Sequence, residues 1–294
     1  MARTLNFVVR PEEDGRPAYR VLHGRGVSRR LLNSLKRLPG GMARNGSSIM
    51  RTVDPVQSGD VLVLHLPEDE AVPEPLPFPL EVLYEDEDIL VVSKPPTLAM
   101  HPTRKHQGNT LANAVSAHLM SRGLRATFRA AGRLDRGTSG IVVCALHSYA
   151  LTRLTGHIEK TYLALAHGTL EGEGTFRNTI YRPRPNCTLR ACREENAPLQ
   201  PGDETAITHW RALGQKDGVT FLQITLETGR THQIRTHFAH HGMPLLGDDY
   251  YGAPPRPEGR HFLHCWRVRL RHPVTEEMMC FTAPLPEEMR KLIA

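Results

Sequence analysis

The chain has no disulfide framework to lean on: its five cysteines, Cys144, Cys187, Cys192, Cys265 and Cys280, are odd in number and scattered, a pattern of reduced thiols. Cys187 and Cys192 are near neighbours, but no second pair stands by to complete a four-ligand zinc site. No apolar run approaches the roughly 20 residues needed to cross a bilayer, and the opening stretch MARTLNFVVRPEED has no apolar core of signal-peptide length. A soluble, cytoplasmic protein without a membrane partner is expected. No H-E-x-x-H motif occurs, and neither does a glycine-rich dinucleotide or phosphate loop. Internal repeats and low-complexity tracts are also missing.

What the chain does have is positive charge in blocks. The net charge is +6 over 294 residues and the isoelectric point is about 9.2. Residues 1–66 carry 11 Lys/Arg against 5 Asp/Glu, residues 67–88 carry 9 acidic and no basic side chains, and the remaining 206 hold 26 basic against 17 acidic. Arginine dominates, and guanidinium forks match phosphate oxygens and release condensed counterions, so a polyanion such as RNA fits as partner. The stretch PEDEAVPEPLPFPL (67–80) holds five prolines and no glycine, which reads as an extended, fairly stiff linker. It divides the chain into a small basic unit, 1–66, and a larger one, 81–294.

In the first unit, GVSRRLLNSLKRL (26–38) sets Leu31, Leu32, Leu35 and Leu38 at helical spacing. Ser28 is placed to cap the helix, and Arg29, Arg30, Lys36 and Arg37 are left for solvent or phosphate. After Gly40-Gly41 comes MARNG (42–46), and then a turn at Ser58-Gly59-Asp60 leads into alternating Val61, Val63 and His65 against Leu62, Leu64 and Leu66. The pattern G-x-S-R-R-L-L-x-x-L-K, then R-N-G, then G-D-x-L resembles the S4-type RNA-binding domain. That resemblance implies RNA contacts from Arg29, Arg30, Lys36, Arg37 and Arg44.

Beyond the linker, short strands (89–92, 140–145, 162–166, 220–226, 262–270) mix with helices at 110–121 and 231–241 without regular alternation, so the class is α+β rather than a doubly wound parallel sheet. Two segments stand out. AAGRLDRGTSGIVVCAL (130–146) presents Asp135 between Arg133 and Arg136 on a glycine-containing loop that enters a strand. On local composition alone, a surface ion pair explains that loop as well as catalysis does. LETGRTHQIRTHFAHHGMPLLGDDYYG (226–252) holds four histidines and two arginines. His237, His240 and His241 share a helical face, yet no carboxylate sits at zincin spacing and the arginines repel a cation, so no metal is expected. An anionic ligand suits Arg230 and Arg235, which on one helix point to different faces.

With YEDEDILVVSKPPTLAMHP (84–102), GRLDRGTSGIVV (132–143) and KTYLALAHG (160–168), that segment carries a resemblance to the RluA-type RNA pseudouridine synthases over nearly the whole chain. The resemblance implies a mixed, mainly antiparallel sheet flanked by helices. It also implies Asp135 as catalytic aspartate, Tyr162 as the tyrosine packed on the target base, and Arg235 as the basic partner of the aspartate. Arg133, Leu134, Arg136 and Thr138 of the catalytic loop form the substrate-binding set together with Arg230, His232, Gln233 and His101; residues up to Lys105 are candidates to grip displaced RNA backbone. The chain departs from the family twice, with Gly132 where a histidine is usual, and Lys94-Pro95-Pro96-Thr97 where Lys-Pro-Ala-Gly is usual. The implied reaction is an isomerisation, redox-neutral and without net hydrolysis, so no cofactor is expected. Ribosomal RNA is preferred to tRNA as substrate, and a monomer suffices. The competing reading is a non-catalytic RNA-binding or ribosome assembly protein on the same fold.

Overall fold

The computed structural model describes residues 3–47, 51–102, 108–194 and 197–293. In chain order the elements are β1 (Arg3–Val8), α1 (Ala18–Gly24), α2 (Arg29–Leu35), β2 (Met42–Arg44), β3 (Val61–Leu66), β4 (Glu81–Glu85), β5 (Ile89–Lys94), α3 (Leu111–Ser121), β6 (Arg129–Ala130) and β7 (Ser139–Ala145). There follow α4 (Ser148–Leu154), β8 (Ile158–His167), β9 (Glu173–Tyr181), β10 (Ala191–Cys192), β11 (Glu204–Lys216), β12 (Val219–Leu226), α5 (Gln233–His240), β13 (Leu263–Arg271), β14 (Met278–Thr282) and α6 (Glu287–Ile293).

The N-terminal strands form a small antiparallel sheet in the order β1-β3-β2. The leucines of β3 point inward while Val61, Val63 and His65 face out, as alternation in a half-buried strand requires. Ser28 accepts a hydrogen bond from the Leu31 amide and starts α2. The helix is shorter than the leucine spacing predicts. It closes at Leu35, and Leu38 lies beyond it, 39% exposed. The reason is local: Gly41 folds back so tightly that a Cβ there would stand 2.5 Å from the Leu35 carbonyl oxygen.

Residues 67–80 contain no helix or strand, yet they do not hang free between the two units. Asp69 pairs with Arg129 and accepts from the Thr127 amide at 2.7 Å. Asn113 Nδ2 donates to the Glu74 carbonyl at 2.8 Å, Ser116 Oγ to that of Pro73 at 2.6 Å, and the Leu76 amide to the Asn113 carbonyl at 3.0 Å. The proline-rich segment is thus strapped along α3. The N-terminal unit also docks directly. Tyr149 of α4 is buried in that unit's core, its ring edge-on to Phe7 at 5.8 Å and its hydroxyl donating to the Arg25 carbonyl at 3.0 Å. Arg3 reaches across to Asp88 at 2.8 and 3.1 Å.

The larger unit is built on an 11-stranded sheet with the path β10-β9-β11-β12-β8-β13-β7-β5-β4, β14 pairing with β13 and β6 with β7. The class is α+β, as the segment pattern predicts. Every join is antiparallel except β7 with β13, which run parallel through His264 with Ser139 and Cys265 with Gly140. That join explains one glycine. A Cβ on Gly140 would stand 2.2 Å from the Cys265 carbonyl oxygen, and its φ of +106° lies where side chains are strained. The central strands β5, β7 and β8 supply much of the main core, against which α3 and α5 pack. The loop before β7, the middle of β8 and the N-terminal half of α5 therefore meet at one place.

Candidate active site

Asp135 sits in the connection between β6 and β7, in a turn closed by the Thr138 amide donating to the Asp135 carbonyl at 3.1 Å. Leu134 beside it is buried in the main core, so the loop is anchored by one side chain while its neighbours Arg133 and Arg136 stay exposed. The ion pair expected from sequence is present: Arg235 Nη1 lies 3.1 Å from Asp135 Oδ2, the side chains being 6% and 15% exposed. The sequence reading missed the second half of this arrangement. Asp248 takes Arg235 Nε at 2.7 Å and Nη2 at 2.8 Å, a planar fork-to-carboxylate match that fixes the guanidinium. Burial works against the Arg235 charge, but Asp248 and Asp135 outweigh it and raise its pKa. Burial in turn raises the Asp248 pKa, with Arg235 opposing.

A second unforeseen group lies below the loop. Lys94, the last residue of β5, is 1% exposed and donates to the carbonyls of Pro95 and Leu98 at 2.9 Å and of Arg136 at 3.1 Å. Burial pulls its pKa down to about 7, while the Asp135 charge acts the other way. Thr138 does not face open space; its hydroxyl hydrogen-bonds His261 Nε2 at 2.8 Å. Burial, then Arg235 and Arg260, hold His261 well below the ordinary histidine range, so it is neutral at pH 7.

Tyr162, in the middle of β8, is 6% exposed, and burial raises its phenol pKa well above 10.0. It lines a small cavity of about 70 Å³ together with Leu226, Leu263, Asp135, Thr138 and Arg235. On the other side of Asp135 opens a larger cavity of about 810 Å³. His232 caps α5 from the left-handed region, φ +57°, a conformation that costs a non-glycine residue on the order of 1 kcal/mol. Its Nε2 is 3.9 Å from Asp135 Oδ2 and its Nδ1 2.9 Å from the Tyr251 hydroxyl. Burial lowers its pKa to about 4.

Not every residue grouped by sequence points into the site. Gln233 lines the small cavity, but its amide is fully occupied: Nε2 donates to the Ile207 carbonyl at 2.9 Å and Thr208 Oγ1 at 3.0 Å, and Oε1 accepts from Thr228 Oγ1 at 2.8 Å and the Arg230 amide at 2.9 Å. It holds the loop before α5. Arg230 precedes the helix rather than sharing it with Arg235, and pairs with Glu204 at 2.9 Å. His101 packs edge-on against Phe128 at 5.0 Å and lines the large cavity; Thr103 to Lys105, grouped with it by sequence, lie outside the described residues. Gly132 has φ +109°, and the Lys160 ammonium occupies the place its Cβ would enter, 2.8 Å away. The three histidines at 237, 240 and 241 do not converge on one point: His237 turns inward to Thr208 Oγ1 at 2.9 Å, and His241 stacks on Phe176 at 4.0 Å. Among the described residues, Asp86, Asp88 and His272 do bring ligand atoms together, but Asp88 is already held by Arg3 and by His147 at 2.8 Å. In the N-terminal unit Arg29, Arg30, Lys36 and Arg37 are exposed, whereas Arg44 is engaged with Asp60 at 2.5 Å and the Pro55 carbonyl at 3.0 Å.

Comparison with known proteins gives this geometry its context. Residues 88–240 match the family model described as RNA pseudouridylate synthase. An uncharacterised RNA pseudouridine synthase of Bacillus subtilis, YjbO, is 38% identical over 91% of this chain and 95% of its own length. The ribosomal large subunit pseudouridine synthase D of Haemophilus influenzae is 36% identical over 77% of this chain and 74% of its own. Among solved structures, human RNA pseudouridylate synthase domain containing 4 shares the fold with a TM-score of 0.60 at 19% identity, over 72% of this chain and 91% of that one.

Proposed function

The chain belongs to the RluA-type RNA pseudouridine synthases, and from that premise we propose that Asp135 is the carboxylate that converts uridine to pseudouridine in structured RNA, with ribosomal RNA as the substrate. The observation that carries this reading is the position of Asp135, paired with a doubly anchored arginine and lining both a small, partly apolar cavity and a large one.

In the reaction the bond from ribose C1′ to uracil N1 breaks, the base turns, and C5 bonds to C1′. A carboxylate beside C1′ serves either by attacking it or by assisting proton loss from the sugar while offsetting the positive charge that develops there. Arg235 holds that carboxylate in place and Asp248 holds Arg235. The small cavity between Tyr162, Leu226 and Leu263 is no larger than a single base, so the uridine enters it flipped from its stack or from an unpaired loop. There Tyr162 packs on the ring. As a buried phenol it is protonated at neutral pH, which suits packing better than removal of the C5 proton. The exposed cations of α2, Arg29 and Arg30, and of the turn after it, Lys36 and Arg37, suit the S4-like RNA-binding role of residues 1–66, and a cytoplasmic location accords with an rRNA substrate.

The test is pseudouridine mapping by carbodiimide treatment and primer extension on rRNA and tRNA from cells lacking the protein, complemented with wild type or Asp135→Asn. Loss of one or a few sites, restored by wild type alone, is the expected result and names the RNA. Sites that Asp135→Asn restores equally well would remove the catalytic role of this aspartate. If all sites persist and the purified protein is inactive on transcripts, a binding or assembly role replaces the enzymatic one.

A further inference from the structure

The two cavities that meet at Asp135 differ more than tenfold in volume, about 70 Å³ against about 810 Å³, and a single uracil would leave most of the large one unfilled. A strand that places its target base between Tyr162 and Leu226 carries its neighbouring nucleotide past Arg133, Leu134, Asp135, His232 and Arg235, the residues both cavities share. On the wall of the large cavity stands Tyr250, 63% exposed. Its exposure is not looseness. Asp248 is locked to Arg235 at 2.7 and 2.8 Å, and Tyr251 bonds the Arg190 amide at 3.0 Å and His232 at 2.9 Å. The short helical turn Asp249–Tyr251 is therefore held two residues before Tyr250 and directly after it, while the Tyr250 hydroxyl has no hydrogen-bond partner among the described residues. The Arg235 guanidinium lies 5.9 Å from the centroid of the Tyr250 ring, and the ring, carried on a held backbone and 63% exposed, keeps surface on which a base can stack.

We propose that the large cavity is a subsite for a second, unpaired nucleotide adjacent to the target uridine, whose base stacks on Tyr250. The subsite rests on the reading of the small cavity as the uridine slot. The rest of the lining fits the same ligand: Pro96 and Met100 offer apolar surface, Thr188 a hydroxyl for a base edge, and Arg133 a cation at the exposed side for the connecting phosphate. The enzyme then reads two consecutive unpaired nucleotides, and a uridine whose neighbour stays stacked in a helix is a poor substrate. The subsite takes any second base, because every base presents a stacking face.

The experiment uses the full chain and a seven-nucleotide fluorescein-labelled RNA backbone, abasic except for a central uracil. Two further probes each add one uracil, on the 5′ or the 3′ side. Affinities are read by fluorescence anisotropy for wild type, Tyr250→Ala and Tyr250→Phe. The wild type is expected to gain about fivefold or more from the second base on one side, the size of a stacking contact. Tyr250→Ala should lose that gain and Tyr250→Phe should restore it. A second base that adds nothing on either side, or that adds as much for Tyr250→Ala as for wild type, overturns the subsite. Pseudouridine formation with Asp135→Asn is scored separately, so an active enzyme lacking the Tyr250-dependent gain has lost the subsite alone, and an inactive protein showing it has lost the catalytic reading alone.

Discussion

At the scale of single residues, the site depends on how Arg235 is shared. One guanidinium serves two carboxylates, and Asp248 takes both of its parallel N–H groups, so the Asp135 contact is made by what remains. Removing Asp248 strips the buried guanidinium of its two-point partner and leaves Asp135 as its remaining carboxylate, a loss of about 3 kcal/mol, the lower end for breaking a buried ion pair. Asp248→Ala should therefore lower the urea-unfolding free energy by that order and lower kcat as well, although Asp248 lines neither cavity. Loss of stability without loss of kcat would show that Asp135 needs no fixed arginine. The histidines make a separate prediction. Burial lowers His232 to about 4, and His261 lies lower than its ordinary value of 6.5 as well. The kcat/KM profile should accordingly show no histidine titration near 6.5. For stability the sign follows from proton uptake: below 6.5 the unfolded chain binds protons that folded His232 refuses until about 4, so unfolding becomes easier as the pH drops through that window. Urea titrations at a series of pH values check the slope.

At the scale of elements, the parallel join of β7 and β13 sets the direction from which the Asp135 loop enters the sheet. Gly140 makes that join passable, because its Cα lies against the Cys265 backbone, which cannot yield as a side-chain tip does. Gly140→Ala should cost several times the roughly 1 kcal/mol of an ordinary glycine replacement and should yield insoluble or thermally weakened protein. Gly156→Ala, with open space around the position but a φ of +79°, serves as the control for backbone conformation alone. Equal melting temperatures for the two variants would refute the close-approach argument. The strap from 67 to 80 belongs to this scale as well: its acidic and proline-rich composition predicts extension, and its bonds to α3 and Arg129 determine where the extended chain lies.

At the scale of the molecule, the N-terminal unit is coupled to the larger one by more than the strap. Deleting residues 1–66 would uncover Tyr149 and leave Asp88, whose pKa is held at about 2 despite burial by His147 and Arg3, without its arginine. Truncation thus perturbs the catalytic unit and confounds an RNA-binding test. Charge reversal is cleaner, because Arg29 and Arg30 are exposed and make no ion pair among the described residues. The double substitution Arg29→Glu and Arg30→Glu should weaken RNA binding and make the slope of log affinity against log salt shallower by roughly 1.5–2, with the melting temperature retained. An unchanged slope would remove these arginines from the RNA interface.

Several features were legible in the chain because they are local. The strand expected over 89–92, which runs on to Lys94, the capped helix after Ser28, the alternation in β3 and the Asp135 loop all follow from periodicity, capping and turn chemistry within a dozen residues. The Asp135–Arg235 contact, a hundred residues apart, was anticipated through the family resemblance rather than from spacing. Strands β9 and β11 were not anticipated, since their inward positions are few and irregular and only pairing with each other and with β12 makes them strands. Nor did the sequence mark Lys94 as buried, Gln233 as fully bonded or Asp248 as the anchor of Arg235. Charge and hydrogen-bonding groups have no periodicity that names their partners, so which of them are consumed in holding the site and which are left to meet RNA was decided only when the sheet brought distant segments together.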